Sequence, residues 1–218
     1  MINNLTGENN KIMRIIEKLD GCYGDVSTEL RYENSFQLLL AVILSAQSTD
    51  SQVNRITDKL FKKYKTPEDF ANLAPQRLAL DIKGCGLYNN KSKYIVETAC
   101  ELVRRHDSKV PDCRIALEKL PGVGRKSAGV ILNEAFGQNY IPVDTHVFRV
   151  AHRLGLANSK TPDGTEDELM EIIPKQYWRD MHHWLVRHGR RVCKARKPLC
   201  TDCVLQDYCP KKGTGNGF

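Results

Sequence analysis

Residues 115–136 read IALEKLPGVGRKSAGVILNEAF. Apolar residues recur at helical spacing before Leu120 and again after Gly124. Pro121 ends the first helical pattern, and the two glycines that follow permit a tight turn. The stretch therefore predicts two helices joined by a short hairpin.

The hairpin has a chemical consequence at the start of the second helix. Backbone N–H groups there have no partner within the helix, and they lie at the positive end of the helix dipole. Such a turn can bind an anion, and on a basic protein the expected anion is a nucleic-acid phosphate. A tight turn that only joins two packed helices would need the same proline and glycines, so both interpretations stay open.

The rest of the chain also has helical periodicity, and strand alternation is almost absent. Thr66-Pro67 followed by Asp69 predicts a helix start, and a capping box is predicted at Thr49. Gly137 and Gly155 follow apolar residues where helices are expected to end. We expect an all-α protein with about ten helical segments. The apolar positions that define two of these helices are Ile12, Ile15, Ile16 and Leu19 in one and Val53, Ile56, Leu60 and Tyr64 in the other.

Composition limits the class of protein. The chain has 218 residues, of which 41% are hydrophobic, and a net charge of +7, since 33 basic residues exceed 26 acidic ones. That apolar fraction supports a packed core, so the chain as a whole is expected to be neither disordered nor a basic tail. The longest apolar run, residues 38–44, is far shorter than the roughly 18 residues of a membrane span. The polar N terminus lacks the apolar stretch of a signal peptide, so we expect a soluble, intracellular, cytoplasmic protein.

The eight cysteines fall into two groups. Cytoplasmic proteins rarely carry disulfides, so the thiols need another role. Four are scattered through the first half, and we expect ordinary buried thiols at Cys22, Cys85, Cys100 and Cys113. Four crowd together near the end, with six, two and five residues between them, and are candidate metal ligands: Cys193, Cys200, Cys203 and Cys209. Four thiolates also suit zinc, although a zinc ribbon usually has two close pairs and this segment has one.

Two charged residues near the hairpin are candidate catalytic groups. Lys126 lies in the first turn of the second helix, where a cation is disfavoured by roughly 0.3–1 kcal/mol. It could be a nucleophilic amine or a plain phosphate contact. Asp144 precedes the helical pattern that includes Val147, where an aspartate is a good N-cap. The same carboxylate could stabilise positive charge during a reaction, and both roles can hold.

Two segments and the terminal cysteines together resemble one known family. LPGVGRKSAGVIL at residues 120–132, VDTHVFRVAHRLG at residues 143–155 and the cysteine spacing are similar to the endonuclease III family of helix-hairpin-helix DNA glycosylases, from about Ile12 to Cys209. The resemblance implies a bifunctional DNA glycosylase and abasic-site lyase that removes oxidised pyrimidines in base excision repair. It implies a [4Fe-4S] cluster held by the four terminal cysteines. It also implies a DNA-associated monomer that binds double-stranded DNA with damaged bases or abasic sites, and no membrane.

The resemblance assigns roles to individual residues. Lys126 matches the lysine that attacks C1′ of the damaged nucleotide to form a Schiff base, and Asp144 matches the aspartate essential to the same chemistry. The segment LSAQ at residues 44–47 resembles the one whose glutamine enters the space left by the flipped base. Residues 86–91 resemble the loop whose leucine wedges into the stack. The residues implied to contact DNA are Gln47, Leu87, Gly122, Val123, Gly124, Arg125, His146 and Arg191.

A basic run surrounds the first terminal cysteine. We expect this run to face the DNA backbone, although charged residues of this kind usually lie on a surface that contacts only solvent. Its members are Arg187, Arg190, Arg191, Lys194, Arg196 and Lys197.

The family also implies a domain organisation. We expect a six-helix domain over residues 28–138, with the helix-hairpin-helix motif at about 113–136. Residues 1–27 and 139–210 would form an iron–sulfur cluster domain from both termini, and residues 211–218 a disordered tail. The active site is expected in a cleft between the two domains, with Lys126 on one side and Asp144 on the other.

The sequence departs from the family at two places. Gly129 stands where many members have asparagine, and Cys85 lies inside the wedge loop, so the preference among damaged bases is open. The alternative functions are an adenine- or thymine-mismatch DNA glycosylase and a non-catalytic DNA-binding module. Mismatch branches generally lack the lysine that Lys126 provides, and phosphate binding needs neither Lys126 nor Asp144.

Overall fold

The computed structural model describes the backbone of residues 2–210 and the side chains of residues 10–210. Within that range every regular element is helical, apart from an isolated bridge between Lys83 and Cys85. The all-α prediction is therefore confirmed, whereas the predicted disordered tail at 211–218 lies outside the described residues. The α-helices are α1 Ile2–Tyr23, α2 Ser35–Ser45, α3 Asp50–Lys63, α4 Pro67–Ala71, α5 Pro75–Asp81, α6 Tyr88–Arg105, α7 Arg114–Leu117, α8 Arg125–Phe136, α9 Thr145–Leu154, α10 Pro162–Ile172 and α11 Trp178–Arg191. Short 3-10 helices span Lys175–Tyr177, Cys200–Asp202 and Gln206–Tyr208.

The two predicted helix starts, at Thr66 and Thr49, have different caps in the structure. Thr66 and Asp69 form the complete capping box, because each side chain accepts the backbone N–H of the other. At Thr49 only half of the box forms. Its hydroxyl accepts the Gln52 N–H at 3.3 Å, but the Gln52 side-chain amide donates to the Gly84 carbonyl oxygen instead of returning to Thr49. That amide therefore joins two loops rather than capping a helix.

The chain divides into two compact units. Residues Thr28–Gly137 form the first, which we call the hairpin unit; it contains α2 to α8. Its core is built around α2, which is buried from Phe36 to Leu44. The long apolar run in the sequence is therefore the central helix of this unit. Gly137 ends α8 at a φ of 62°, in the left-handed conformation that glycine adopts at little cost.

The second unit, which we call the cysteine unit, is made of the chain on either side of the first. It contains α1 and α9 to α11. The apolar face of α1 is buried as the periodicity predicted, and the Trp184 indole N–H donates to the Gly24 carbonyl oxygen at 2.9 Å. Gly155 ends α9 at a φ of 70°. Core residues of this unit include Ile15, Leu19, Val147, Val150, Trp184 and Leu205.

The prediction that four cysteines are ordinary buried thiols was wrong for two of them. Cys85 is buried and Cys100 is half-buried, but Cys22 and Cys113 are exposed. Cys22 lies in the last turn of α1 and Cys113 is the N-cap position of α7, and both are helix ends, where less chain is packed around a side chain. Among the described residues, no helix combines the length and the apolar character needed to cross a membrane.

Candidate active site

The hairpin before α8 is packed tightly against α6. Gly122 has a φ of 78°, and a Cβ built there would lie 3.0 Å from the Cβ of Tyr94. The Thr98 hydroxyl donates to the Pro121 carbonyl oxygen at 2.8 Å, and the Val123 N–H closes the turn on the Leu120 carbonyl oxygen at 3.1 Å. Glycine is therefore required at position 122 for two reasons: its backbone conformation disfavours other residues, and there is no room for a side chain.

The start of α8 is open. Gly124 is its N-cap residue, no side chain caps this helix end, and a Cβ at Gly124 would meet no atom within 4 Å. Lys126 is exposed in the first turn and Arg125 is half-buried. Val123, by contrast, is only 5% exposed. A contact between Val123 and a ligand would therefore use its backbone, not its side chain.

Asp144 is the N-cap of α9. Its Oδ1 accepts the backbone N–H groups of His146 and Val147, both at 2.8 Å. The alternative cap role is therefore realised in the structure. A carboxylate is favoured at this end of a helix because it faces the positive end of the dipole.

His146 is half-buried beside α11. Its Nδ1 lies 3.2 Å from an Arg149 guanidinium nitrogen, and a Cβ at Gly189 would lie 3.0 Å from its Cβ. Burial lowers the pKa of His146 below its ordinary value. The positive charges of Arg149 and Arg190 lower it further, and the negative charge of Asp144 partly opposes them. These effects favour the neutral form of the ring, which lies against Gly189 of α11.

Gln47 and Leu87 share an unusual backbone. Both have left-handed conformations, with φ values of 54° and 56°. For residues other than glycine this costs on the order of 1–3 kcal/mol each, and it persists only where the surroundings enforce it. The Gln47 side chain is exposed, and that of Leu87 is 54% exposed despite being apolar. The structure therefore presents both residues at the tips of strained turns.

The turns that carry Gln47 and Leu87 are in contact. The Gly86 N–H donates to the Ser48 hydroxyl at 3.1 Å, and a Cβ at Gly86 would lie 2.8 Å from the Gln47 carbonyl oxygen. Glycine is therefore needed at position 86 for the close approach of the two backbones.

The four terminal cysteines line one cavity in the cysteine unit, together with α9 residues such as Val150. Burial raises the pKa of Cys203, and repulsion from the neighbouring thiolates of Cys193, Cys209 and Cys200 raises it further, while a backbone hydrogen bond at Leu205 lowers it. The Cys203 thiol is thus close enough to the other three cysteines to interact with them electrostatically.

Comparison with known proteins identifies the family. Residues 40–175 match the HhH-GPD superfamily of base excision DNA repair proteins, and residues 193–209 match the iron–sulfur binding domain of endonuclease III. Endonuclease III of Haemophilus influenzae is 47% identical over 85% of this chain and 88% of that protein, and endonuclease III of Escherichia coli K12 is 44% identical over 93% and 96%. A trapped covalent endonuclease III–DNA intermediate superimposes with a TM-score of 0.89 at 41% identity, over 93% of this chain and 96% of that one.

The chain belongs to the endonuclease III family. The resemblance seen in the sequence is thereby confirmed, and with it a DNA glycosylase of base excision repair and a [4Fe-4S] cofactor rather than zinc. The segment matched by the iron–sulfur domain begins at Cys193 and ends at Cys209.

The cysteine unit fits the endonuclease III cluster. The four thiols line one cavity, and a cationic centre there would offset the repulsion that raises the pKa of Cys203. The cavity is also lined by the apolar side chains of Val150, Leu154 and Leu199. Those four cysteines therefore line the cavity in which they would hold the cluster.

Two arginines of the cysteine unit were missed by the sequence reasoning. Arg153 is only 9% exposed and donates to the Lys194 and Ala195 carbonyl oxygens at 2.7 and 3.1 Å. Arg149 donates to the Cys193 carbonyl oxygen at 3.1 Å. Both lie on α9, four residues apart, so they share one helix face. Two arginines four residues apart on a helix that precedes the cysteines in the chain were the available signal in the sequence.

The remaining predicted residues fall in the two units separately. Lys126, Gln47 and Leu87 lie in the hairpin unit, and Asp144 and His146 lie in the cysteine unit. Most of the basic run is exposed, namely Arg190, Arg191, Lys194, Arg196 and Lys197, whereas Arg187 is half-buried. The two residues that depart from the family are both buried. Gly129 lies in α8, and Cys85 lies two residues before Leu87.

Proposed function

We propose that this endonuclease III relative is a bifunctional glycosylase and lyase that removes oxidised pyrimidines from duplex DNA through a Schiff base on Lys126. The observation that carries the proposal is the position of Lys126. It is an exposed amine in the first turn of α8, directly after a hairpin whose helix end has no side-chain cap. A DNA phosphate at that helix end would bring the adjacent sugar to the amine.

The chemistry then follows from one amine. The Lys126 Nζ attacks C1′ of the damaged nucleotide, the glycosidic C–N bond breaks, and the base leaves with the bonding pair and takes up a proton. The nitrogen stays bonded to C1′; the C1′–O4′ bond of the sugar ring then breaks, O4′ takes up a proton, and C1′ and the nitrogen form an iminium ion. That ion acidifies the C2′ proton, so loss of the proton expels the 3′ phosphate by β-elimination. One residue thus serves both the glycosylase and the lyase step.

Asp144 is proposed to help this reaction as a carboxylate. It would stabilise the positive charge that develops on the sugar and accept the proton that Lys126 must lose. The hydrogen bonds from His146 and Val147 fix its orientation. A carboxylate held in one orientation loses no entropy when it acts, which favours catalysis.

DNA binding is proposed for the hairpin, the two strained turns and the exposed basic run. Gln47 would fill the space left by the flipped base, and Leu87 would wedge into the stack. The backbone of residues 122–124 and the side chains of Arg125, His146 and Arg191 would contact the DNA around the site. Cys193, Cys200, Cys203 and Cys209 are the proposed ligands of the cluster, which when bound crosslinks their loop and so fixes the basic run around it.

Borohydride trapping tests the proposal. Duplex DNA that carries thymine glycol or an abasic site is incubated with the protein and borohydride, and a covalent complex that survives denaturation is expected. Lys126→Ala should give no complex, while Lys109→Ala, a change at another exposed lysine of the same unit, should trap fully. Trapping by Lys126→Ala, or none by the wild type, contradicts the proposal. Release of adenine from a mismatch without trapping would instead support the mismatch branch.

A further inference from the structure

Lys91 is a buried lysine that the proposed chemistry does not use. It lies in the first turn of α6 and is only 3% exposed. Lysine is almost never fully buried unless it is paired. Its Nζ lies 2.8 Å from the Leu44 carbonyl oxygen, 3.1 Å from the Ser48 hydroxyl and 3.2 Å from the Cys85 sulfur. A lysine side chain has three donors, so each N–H has one acceptor.

The three acceptors come from two different turns. Leu44 and Ser48 lie on either side of Gln47, whereas Cys85 lies two residues before Leu87. The Cys85 sulfur also lies 3.1 Å from the Leu44 carbonyl oxygen and 3.2 Å from the Ser48 hydroxyl. The lysine amine therefore sits at the centre of a polar cluster that joins the glutamine turn to the leucine turn.

The geometry points to Lys91 as a positioning residue. We propose that it holds the Gln47 turn and the Leu87 turn in the one mutual arrangement in which both side chains can enter a DNA stack. The inference rests on the proposed function, since it concerns how the base-flipping residues are presented. Lys91 would act through those two residues and would not itself touch the DNA, because its side chain is enclosed by protein.

The strained backbones of Gln47 and Leu87 are the reason that their turns need a residue to hold them in place. Both Gln47 and Leu87 hold left-handed backbones, which relax unless the surroundings prevent it. The Gly86–Ser48 and Cys85–Leu44 hydrogen bonds already join the turns, and the Lys91 amine bonds to Ser48, Leu44 and Cys85 within that contact. The amine adds a link to each turn on the buried side. Turns fixed before DNA arrives lose less entropy on binding.

Lys91→Met tests the inference, because methionine has a similar length but no donors. The probe is a duplex with 2-aminopurine opposite a stable tetrahydrofuran abasic analogue. Wild type should raise the fluorescence as the base is unstacked, and Lys91→Met should lose most of that rise. Its kcat/KM on a duplex with a natural abasic site should fall by roughly tenfold to a hundredfold. Its kcat/KM on the same abasic strand without a complement should be unchanged, because no stack has to be opened.

Two further variants keep the inference testable if the methionine variant is unstable. Ser48→Ala removes one acceptor and little volume, and it should lower the duplex to single-strand activity ratio in the same direction by a smaller factor. Lys109→Met, at an exposed lysine, should leave the ratio at the wild-type value. A wild-type ratio and fluorescence rise in folded Lys91→Met or Ser48→Ala would overturn the inference. Absence of borohydride trapping in the wild type would instead overturn the proposed function.

Discussion

Asp144 Oδ1 accepts the backbone N–H of Val147 at 2.8 Å, so one carboxylate both begins α9 and supplies the proposed catalytic charge. The same oxygen accepts the N–H of His146. The structural and chemical roles of Asp144 can be separated because asparagine caps a helix as well as aspartate does but carries no charge.

Asp144→Asn should therefore keep the wild-type stability and lose activity. The single-turnover rate of base release should fall by roughly a hundredfold or more, as expected for loss of a group that handles a proton. Asp144→Ala should lose the same activity and about 1 kcal/mol of unfolding free energy as well. Thermal unfolding and single-turnover kinetics measure the two effects. Wild-type kinetics in Asp144→Asn would show that the residue is only a cap.

The two hairpin glycines should respond differently to alanine. Gly122→Ala forces a side chain into a φ of 78° and against Tyr94, so it should cost on the order of 1–3 kcal/mol of unfolding free energy. Gly124→Ala has open space, so its cost to folding should be smaller. Its methyl group would instead project from the proposed phosphate site and weaken duplex DNA binding, measured at one fixed salt concentration. Wild-type affinity in Gly124→Ala would argue against DNA at this helix end.

The local features of the fold could be predicted from the sequence. Helix periodicity, the Thr66 capping box and the glycines after α8 and α9 depend on neighbouring residues, and each is present in the structure. Long-range contacts were not accessible in this way. Arg153 reaches a carbonyl oxygen 41 residues away, and Lys91 reaches one 47 residues away. Since a basic residue on a helix is usually exposed, only the packed structure shows that these two are buried.

The parts of the candidate site that lie in short, continuous segments could be predicted for the same reason. The hairpin before α8 and the cysteine segment could be predicted because each is a short motif, whereas the catalytic role of Lys126 stays a prediction. The contact between the Gln47 and Leu87 turns could not be predicted, because it depends on the absence of a side chain at Gly86 and on a distant serine. The burial of Val123 was missed because an apolar residue between two glycines gives no periodicity to follow.

Arg153→Met should loosen the start of the cysteine loop. Methionine keeps much of the apolar stem but leaves the Lys194 and Ala195 carbonyl oxygens without their donor. An unsatisfied buried group costs about 1–3 kcal/mol. We expect a lower unfolding midpoint and faster loss of the visible iron–sulfur absorbance on dilution into chelator. Arg14→Met, at an exposed ion pair with Glu17 in the same unit, is the control and should change neither. Equal rates of absorbance loss in the two variants would contradict the assignment.

His146 should make the protein less stable in mild acid. Burial lowers its pKa in the folded state, so below its ordinary value of 6.5 the unfolded chain binds a proton more readily than the folded one. Its contribution to stability is thus complete above pH 6.5 and declines as the pH falls from there towards the folded pKa. Glutamine at this position does not titrate. The unfolding free energy of the wild type minus that of His146→Gln should therefore decrease as the pH is lowered, and an NMR titration should place the imidazole midpoint below 6.5. A difference that is constant with pH, or a midpoint above that value, would show that the ring is not buried in its neutral form.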